Sequence, residues 1–162
     1  MKIRAARSAD AAAIAALWND MIRDTLATFT TKEKSTVEIS AMISERPASC
    51  WLATKGDAVL GFVTYGPFRG GPGYAATVEH TIILDIGAQG QGAGRKLMQH
   101  AIEVAQQQGH HVMVAAISGA NPGAVAFHQR LGFEQVAQMA QVGRKGGQWL
   151  DLILMQKIVS AP

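Results

Sequence analysis

Hydrophobic residues follow two different spacings along this 162-residue chain, and the changes between them predict the order of its secondary structure. Apolar residues three and four positions apart, which share one face of a helix, recur in four segments. Shorter apolar runs bounded by glycine, proline or polar turns recur in seven segments and predict strands. The predicted order is β-α-α-β-β-β-α-β-α-β-β, which indicates a mixed α/β domain.

The predicted helices begin or end at residues that commonly cap helices. Ser8 is a candidate N-cap for the first helix, and residues 35–38 form a predicted capping box for the second. The third helix has the strongest amphipathic pattern, over residues 92–108, and Gly109 is its candidate C-cap. Asn121 stands before a proline, which predicts the N-cap and first turn of the fourth helix.

One of the predicted strands is expected at the centre of the sheet. Residues 77–84 are nearly all β-forming, as is typical of a strand buried on both faces. The pair Gly56 and Asp57 predicts a hairpin between the second and third strands. The seven strands are predicted over residues 3–5, 50–55, 59–66, 77–84, 111–117, 133–139 and 148–157.

Composition and charge narrow the class of protein. Hydrophobic residues make up 48% of the chain and charged residues 17%, so we expect one folded domain over residues 1–162. The net charge of +3 is too small to predict a nucleic-acid surface. No apolar run approaches the ~20 residues that span a bilayer, and the N-terminus lacks the apolar region of a signal peptide. Cys50 is the single cysteine, which argues against a disulfide framework or a multi-cysteine zinc site. We therefore expect a cytoplasmic protein without nucleic-acid or membrane partners.

A glycine-rich turn joins the central strand to the third helix. Free backbone N–H groups at a helix start, together with the helix dipole, bind anions. Glycines let the backbone approach a phosphate closely, and Arg95 adds positive charge nearby. The turn therefore predicts a phosphate or pyrophosphate ligand, with a merely tight turn as the alternative.

Two common phosphate-binding motifs do not fit this turn. A P-loop needs Gly-Lys-Ser/Thr, whereas Gly94 is followed by Arg95 and Lys96. A dinucleotide fingerprint usually follows the first strand and leads to an acidic residue at the end of the next strand. Here three strands precede the turn, and residues 111–117 contain no carboxylate.

Two motifs resemble the GNAT superfamily of acetyl-CoA-dependent N-acetyltransferases. Residues 89–94 match its Q/R-x-x-G-x-G/A motif, and the element order is that of the superfamily. A second motif, N-x-x-A-x-x-F-x-x-x-x-G-F, is matched by Asn121, Ala124, Phe127, Gly132 and Phe133. The resemblance implies a mostly antiparallel, twisted sheet flanked by helices, with acetyl-CoA as co-substrate and no metal.

A closer resemblance is to the phosphinothricin and methionine sulfoximine acetyltransferase subgroup. It rests on residues 77–81, 110–117 and 141–152. It implies direct attack of the α-amine of a small amino acid on the thioester, with methionine sulfoximine, methionine sulfone and phosphinothricin as preferred substrates. The alternatives are acetylation of another small amine, such as a polyamine, and a catalytically silent CoA-binding sensor.

The resemblance assigns cofactor contacts to the strand end and the turn. Ile82, Ile83 and Leu84 are expected to border the pantetheine arm, and Asn121 is expected to contact it. The pyrophosphate is expected at Gln89, Gly90, Gln91, Gly92, Ala93, Gly94 and Arg95.

The same resemblance places the candidate catalytic residues. Glu79 is the expected general base, because a carboxylate in a buried-looking strand needs a partner or a task. A structural salt bridge to Arg69 is the alternative for Glu79, and His80 is a rival base on the opposite face of the strand. His128 stands where many relatives carry a tyrosine that protonates the thiolate, so it is the candidate acid.

The remaining expectations concern the acceptor and the subunits. Arg69 is the candidate partner of the substrate carboxylate, because a guanidinium binds carboxylate with two hydrogen bonds. Pro72, Gly73 and Tyr74 are expected to shape the pocket. The hairpin of Lys145 and Trp149 resembles the region near the subgroup's dimer interface, which implies a homodimer whose second subunit completes the site.

Overall fold

A mixed seven-stranded sheet is the centre of the computed structural model, which describes residues 1–160. The strand order is β1-β2-β3-β4-β5-β7-β6, and every neighbouring pair is antiparallel except β4 with β5. The predicted order of elements and the mostly antiparallel sheet are confirmed. The strands are β1 Lys2–Ala5, β2 Cys50–Lys55, β3 Ala58–Pro67, β4 Thr77–Leu84, β5 Val112–Ser118, β6 Glu134–Lys145 and β7 Gln148–Ile158. The last two residues of the predicted domain, 161 and 162, lie outside the described residues.

Four helices cover the two faces of this sheet. They are α1 Ala11–Asp24, α2 Thr36–Glu45, α3 Ala93–Gln107 and α4 Pro122–Arg130. Leu97 and Met98 of α3 are fully buried in a core that also includes side chains of α4. Ile14 of α1 and Ile39 of α2 form a second core on the opposite face, around Phe62. No helix within residues 1–160 is long and apolar enough to cross a membrane.

Strand β4 supplies side chains to both cores. Val78 packs into the core under α3 and α4, whereas Ile83 packs into the core under α1 and α2. Strands β4 and β5 are paired only where Thr77–His80 meet Val112–Ala115. Beyond His80 the two strands separate, although β4 stays paired with β3 up to Leu84. This separation leaves a gap between two strands in the middle of the sheet.

The capping predictions are confirmed at three helices and wrong at the first. The Ser35 hydroxyl accepts from the Glu38 N–H at 3.1 Å, and the Glu38 carboxylate accepts from the Ser35 N–H at 2.8 Å. The Asn121 side chain accepts from the N–H of Ala124 at 3.2 Å, and Gly109 has a φ of +83° at the end of α3.

Ser8 does not cap α1. It begins a short 3₁₀ turn, Ser8–Asp10, in which the carboxylate of Asp10 accepts from the N–H of Arg7 at 2.7 Å. The same carboxylate binds both terminal nitrogens of Arg4 at 2.8 Å. The N-cap position of α1 therefore falls at Asp10, whose carboxylate is taken up by Arg4 and Arg7 and makes no capping bond to the helix.

Strand β6 is longer than the predicted strand, which ended at residue 139. Its pairing with β7 shifts register between Met139 and Gly143, where Gln141 adopts a φ of +57°. The bulge breaks the alternation of apolar and polar residues, and the pairing resumes beyond it. The predicted strand therefore stops at the bulge, whereas the observed strand bends there and continues to Lys145.

The tip of the β6–β7 hairpin holds the segment that follows α1. The Lys145 side chain is only 8% exposed, and its ammonium donates to the carbonyls of Ile22, Thr25 and Thr28 at 2.6, 2.8 and 3.0 Å. The ring of Phe29 lies against Gly143, where a Cβ would come within 2.4 Å of the ring. Lys145 thus satisfies carbonyls that the end of a helix leaves free.

We expect Lys145→Met to lower the free energy of unfolding by about 2–3 kcal/mol, because buried carbonyls lose their donor. Urea denaturation followed by circular dichroism measures this change. Arg144→Met is the matched control, since the Arg144 guanidinium lies 4.6 Å from the exposed Trp149 ring and should cost less than about 1 kcal/mol. Equal losses in the two variants would contradict the prediction.

Candidate active site

A cleft of about 920 Å³ opens where β4 and β5 separate. Its walls come from the end of α1 and the segment after it, the second half of β4 and the turn that follows it, the end of β5, and α4. The side chains facing it include Trp18, Met21, His80, Thr81, Ile82, Leu84, Ala115, Asn121, Phe127 and His128. The cleft therefore reaches from one face of the sheet to the other.

The edge of β4 along this cleft carries unpaired backbone groups. Between Thr81 and Leu84 the strand bonds to β3 on one side, and β5 is no longer beside it on the other. Backbone N–H and C=O groups need partners when they are enclosed. A ligand with an amide backbone fits this edge as an added strand. Ile82, Ile83 and Leu84, the predicted pantetheine contacts, all line the cleft.

The glycine-rich turn lies at the open end of the cleft, directly before α3. Gly90 and Gly92 have φ values of +76° and +81°, and a Cβ at either position would meet nothing within 4 Å. Gly94 differs, because a Cβ there would come within 3.1 Å of Leu84 and 3.3 Å of Phe127. The first two glycines give the turn its shape and leave space before the helix amides, whereas Gly94 lets α3 pack closely.

The other predicted phosphate contacts follow the same turn. Gln89 lines the cleft. The side chain of Gln91 donates to the carbonyl of Gly87 at 2.8 Å, a hydrogen bond within the turn that stabilises its conformation. Ala93 is buried in the first turn of α3 and Arg95 is exposed beside it. The free amides of this first turn suit an anion.

Two buried histidines meet where the strands begin to separate. His80 and His128 are 7% and 3% exposed, and their Nε2 atoms lie 2.9 Å apart. Burial, together with the neighbouring His128, lowers the pKa of His80 to about 3. Burial also lowers the pKa of His128, so both rings are neutral near pH 7.

The hydrogen bonds fix which ring nitrogens carry protons. The Nδ1 of His128 lies 2.8 Å from the carbonyl of Ala124, so it must donate. The Nε2 of a neutral His128 is then an acceptor, and the Nε2 of His80 must donate to it. His128 has no free ring nitrogen in this state, and it can serve as an acid only after the pair has gained a proton.

Glu79 lies on the opposite face of β4 and is exposed, so the expectation of a buried carboxylate is wrong. Its partner across the β3 pairing is Gly66, which offers no side chain to cover it. No ion pair within residues 1–160 joins Glu79 to Arg69, so the alternative of a structural salt bridge is not formed. Partial desolvation nevertheless raises the pKa of Glu79. Glu79 is absent from the wall of the cleft, although Thr81 on the same face belongs to it.

The predicted substrate loop lies away from the cleft of its own chain. The guanidinium of Arg69 is 5.5 Å from the centre of the Tyr74 ring, and Pro72–Tyr74 form a short 3₁₀ turn. Arg69, Pro72, Gly73 and Tyr74 are exposed and do not line the cleft. The cleft therefore includes five of the predicted cofactor residues, Ile82, Ile83, Leu84, Gln89 and Asn121, but none of these four.

The sequence reasoning missed the wall formed by α1 and the segment after it. Trp18 and Met21 of α1 and residues 25–28 after it line the cleft, and none of them is among the predicted site residues. No motif marks them, and only the long-range contact with Lys145 places the loop here. Cys50 is buried in the core under α1 and α2, and burial raises its pKa to about 11, so its thiol is protonated near pH 7.

Comparisons with known proteins agree with the geometry. The family model described as Acetyltransferase (GNAT) family matches residues 14–133. The L-methionine sulfoximine/L-methionine sulfone acetyltransferase of Pseudomonas aeruginosa is 40% identical over 95% of this chain and 92% of that relative. The L-amino acid N-acyltransferase MnaT of Escherichia coli K12 is 38% identical over 96% of this chain and 92% of that relative. Among solved structures, yncA from Salmonella typhimurium with its cofactor acetyl-CoA has a TM-score of 0.95 at 36% identity, covering 100% of this chain and 95% of that one.

We expect Gly92→Ala to weaken the binding of coenzyme A by roughly 10- to 100-fold, the value of one or two hydrogen bonds to a charged group. The added methyl would occupy the space before the first amides of α3. Titration calorimetry with coenzyme A measures the change.

Gly109→Ala is the matched control for Gly92→Ala. Gly109 has nearly the same backbone conformation, with a φ of +83° and open space around a Cβ, but it ends α3 rather than preceding it. Both variants should lose about 1–2 kcal/mol of stability through backbone strain, and only Gly92→Ala should lose affinity. Equal affinity in the two variants would show that the turn does not hold the phosphates.

Proposed function

This chain belongs to the acetyltransferase (GNAT) family and uses acetyl-CoA, and we propose that it acetylates the α-amine of a small amino acid by direct attack in a ternary complex. The proposed acceptors are methionine sulfoximine, methionine sulfone and phosphinothricin. The separation of β4 and β5 is the observation that carries the proposal, because it leaves an open strand edge in a cleft that extends to Gln89, at the beginning of the glycine-rich turn before α3. The names of the relatives support an amino acid as the acceptor.

The proposed cofactor contacts divide between the strand edge and the helix start. The backbone of Ile82, Ile83 and Leu84 borders the pantetheine arm, and one of these N–H groups polarises the thioester carbonyl. Asn121 contacts the same arm from the start of α4. The pyrophosphate is held by the segment Gln89, Gly90, Gln91, Gly92, Ala93, Gly94 and Arg95.

The proposed proton transfers involve Glu79 and His128. An α-amine with a reference pKa of about 8 is mostly protonated at pH 7, so it must lose a proton before it attacks. Glu79 is the proposed base, and partial desolvation brings its pKa closer to that of the amine. His128 is the proposed acid for the departing thiolate. Because its Nε2 accepts a hydrogen bond from His80 in the neutral pair, the pair must take up a proton before His128 can donate one.

A homodimer is part of the proposal. Val136, Met139, Val142 and Trp149 on the β6–β7 hairpin are large, exposed apolar residues, and such a concentration favours a protein contact. We propose that the second subunit completes the amino-acid site, since the loop of Arg69, Pro72, Gly73 and Tyr74 lies outside the cleft of its own chain. The cytoplasmic location and the lack of nucleic-acid or membrane partners stay predictions of the sequence.

The proposed reaction is tested by acetyl-CoA-dependent thiol release with the purified protein. The amines are methionine sulfoximine, methionine sulfone, phosphinothricin, the proteinogenic amino acids and spermidine, with a blank that contains no amine. We expect release with the three amino-acid analogues and none with spermidine. Release with spermidine alone would reject the proposed acceptor, and silence throughout while acetyl-CoA raises the melting temperature would indicate a binding protein without turnover.

We expect Glu79→Gln to lower kcat by roughly 100-fold, at the low end of the effect of a general base. The rate of the unmodified enzyme should fall as the pH falls through the pKa of Glu79, which lies above the usual value for glutamate. This acid limb should disappear in the variant. The value of kcat at saturating amine measures the loss of rate, and the pH dependence of kcat/KM measures the acid limb of the free enzyme. Glu103→Gln on the exposed face of α3 is the control. An unchanged profile would rule out Glu79 as the base.

A further inference from the structure

We propose that Arg46 and Glu79 together bind the acceptor as a zwitterion, with Arg46 taking the α-carboxylate and Glu79 the α-ammonium group. The proposal rests on the proposed function and deepens it, because it identifies the residues by which the enzyme would distinguish an α-amino acid from an amine without a carboxylate. Arg46 directly follows α2 and belongs to none of the motifs discussed above.

The guanidinium of Arg46 lies directly over Gly66 in β3. A Cβ at Gly66 would come within 2.6 Å of Nη2 and 2.8 Å of Cζ of Arg46. Gly66 is paired with Glu79 across the β3–β4 ladder, and directly opposed residues project from the same face of a sheet. The missing side chain at Gly66 therefore brings a guanidinium next to a carboxylate-bearing residue.

The same face connects Arg46 to the cleft. Arg46 Nη1 donates a long hydrogen bond of 3.4 Å to the hydroxyl of Thr64, which is fully buried. Thr64 is paired with Thr81, and Thr81 lines the cleft. One pair of residues on this sheet face thus separates Arg46 and Glu79 from the edge at which the thioester is proposed to lie.

Both charged groups keep unused hydrogen-bonding capacity. Within residues 1–160 neither Arg46 nor Glu79 forms an ion pair with any side chain. Arg46 is partly buried, and a guanidinium in that position favours an anionic partner. An α-amino acid supplies what the two groups lack, because it carries a carboxylate and an ammonium group on one carbon.

The spacing suits this ligand and the following proton transfer. Directly opposed residues in an antiparallel pair have Cβ positions about 4.5–5.5 Å apart. The Arg46 guanidinium occupies the Cβ position of Gly66, opposite Glu79, so the two charged groups can contact two substituents of one carbon. With the ammonium beside Glu79, one N–H bond breaks and one O–H bond forms on the carboxylate. The amine keeps its electron pair for attack on the thioester, and no further reactant is needed.

The test compares two amines that differ only in the carboxylate. Methionine sulfone and its decarboxylated amine are each assayed by thiol release with the unmodified enzyme, Arg46→Gln and Arg46→Lys. We expect Arg46→Gln to lower kcat/KM for methionine sulfone by roughly 10- to 100-fold, with little change for the decarboxylated amine or in the KM of acetyl-CoA. Arg46→Lys, which keeps the charge but loses the two-pronged geometry, should lie between them.

Gly66→Ala gives an independent route to the same result. The added methyl must displace the guanidinium while leaving Arg46 in the chain, so the preference for methionine sulfone should fall as in Arg46→Gln. Melting temperatures identify any variant that fails to fold, and Arg46→Lys keeps the proposal testable if Arg46→Gln is one of them.

Arg69→Gln is the rival variant, since Arg69 is the carboxylate partner expected from the sequence. Loss of the preference in the Arg46 variants and its retention in Arg69→Gln would support the proposal. Loss in Arg69→Gln alone would overturn it, and equal losses for both amines in Arg46→Gln would show a structural role only. An unmodified enzyme that acetylates neither amine would contradict the proposed function instead.

Discussion

The short parallel pairing between β4 and β5 is the constraint on which the rest of the site depends. Only Thr77–His80 and Val112–Ala115 are joined, because the strands separate beyond His80. A parallel pair requires a crossover, and here the crossover is α3. The helix must therefore begin where β4 ends, which places its free amides beside the open strand edge. The open strand edge and the free helix amides, to which the proposal assigns the cofactor arm and the phosphates, are thus neighbours as a consequence of topology.

The alternation of side chains along β4 places Glu79 and His80 on opposite faces of the sheet. Glu79 projects towards the side of α1 and α2, where Arg46 lies over Gly66. His80 projects towards α3 and α4 and bonds to His128. Adjacent residues of a strand cannot share a face, so the proposed base and the histidine pair lie on opposite faces of the sheet, although Glu79 and His80 are consecutive in the sequence.

Features set by neighbouring residues could be predicted from the sequence, and features set by distant contacts could not. Strand β4 has the predicted bounds, and the Ser35 and Asn121 caps form as expected, because these depend on a few adjacent residues. The glycine-rich turn between β4 and α3 was also predictable, because its conformation depends on a few glycines that are close in sequence. The exposure of Glu79 depends on a glycine in another strand, and the ring-to-ring bond of His80 joins residues 48 positions apart. The N-cap position of α1 falls at Asp10 rather than Ser8, because a short 3₁₀ turn fixed by the bonds of Asp10 to Arg4 and Arg7 precedes the helix.

The bond network of Lys145 connects two parts of the molecule that have different roles. Its three carbonyl acceptors lie at the end of α1 and in the segment that walls the cleft, while its backbone belongs to the hairpin that carries the exposed apolar residues. These three hydrogen bonds connect the tip of the hairpin directly to the segment that forms the cleft wall. The hairpin of the proposed subunit contact and the wall of the cleft therefore share one buried side chain, so a change that moves Lys145 changes both.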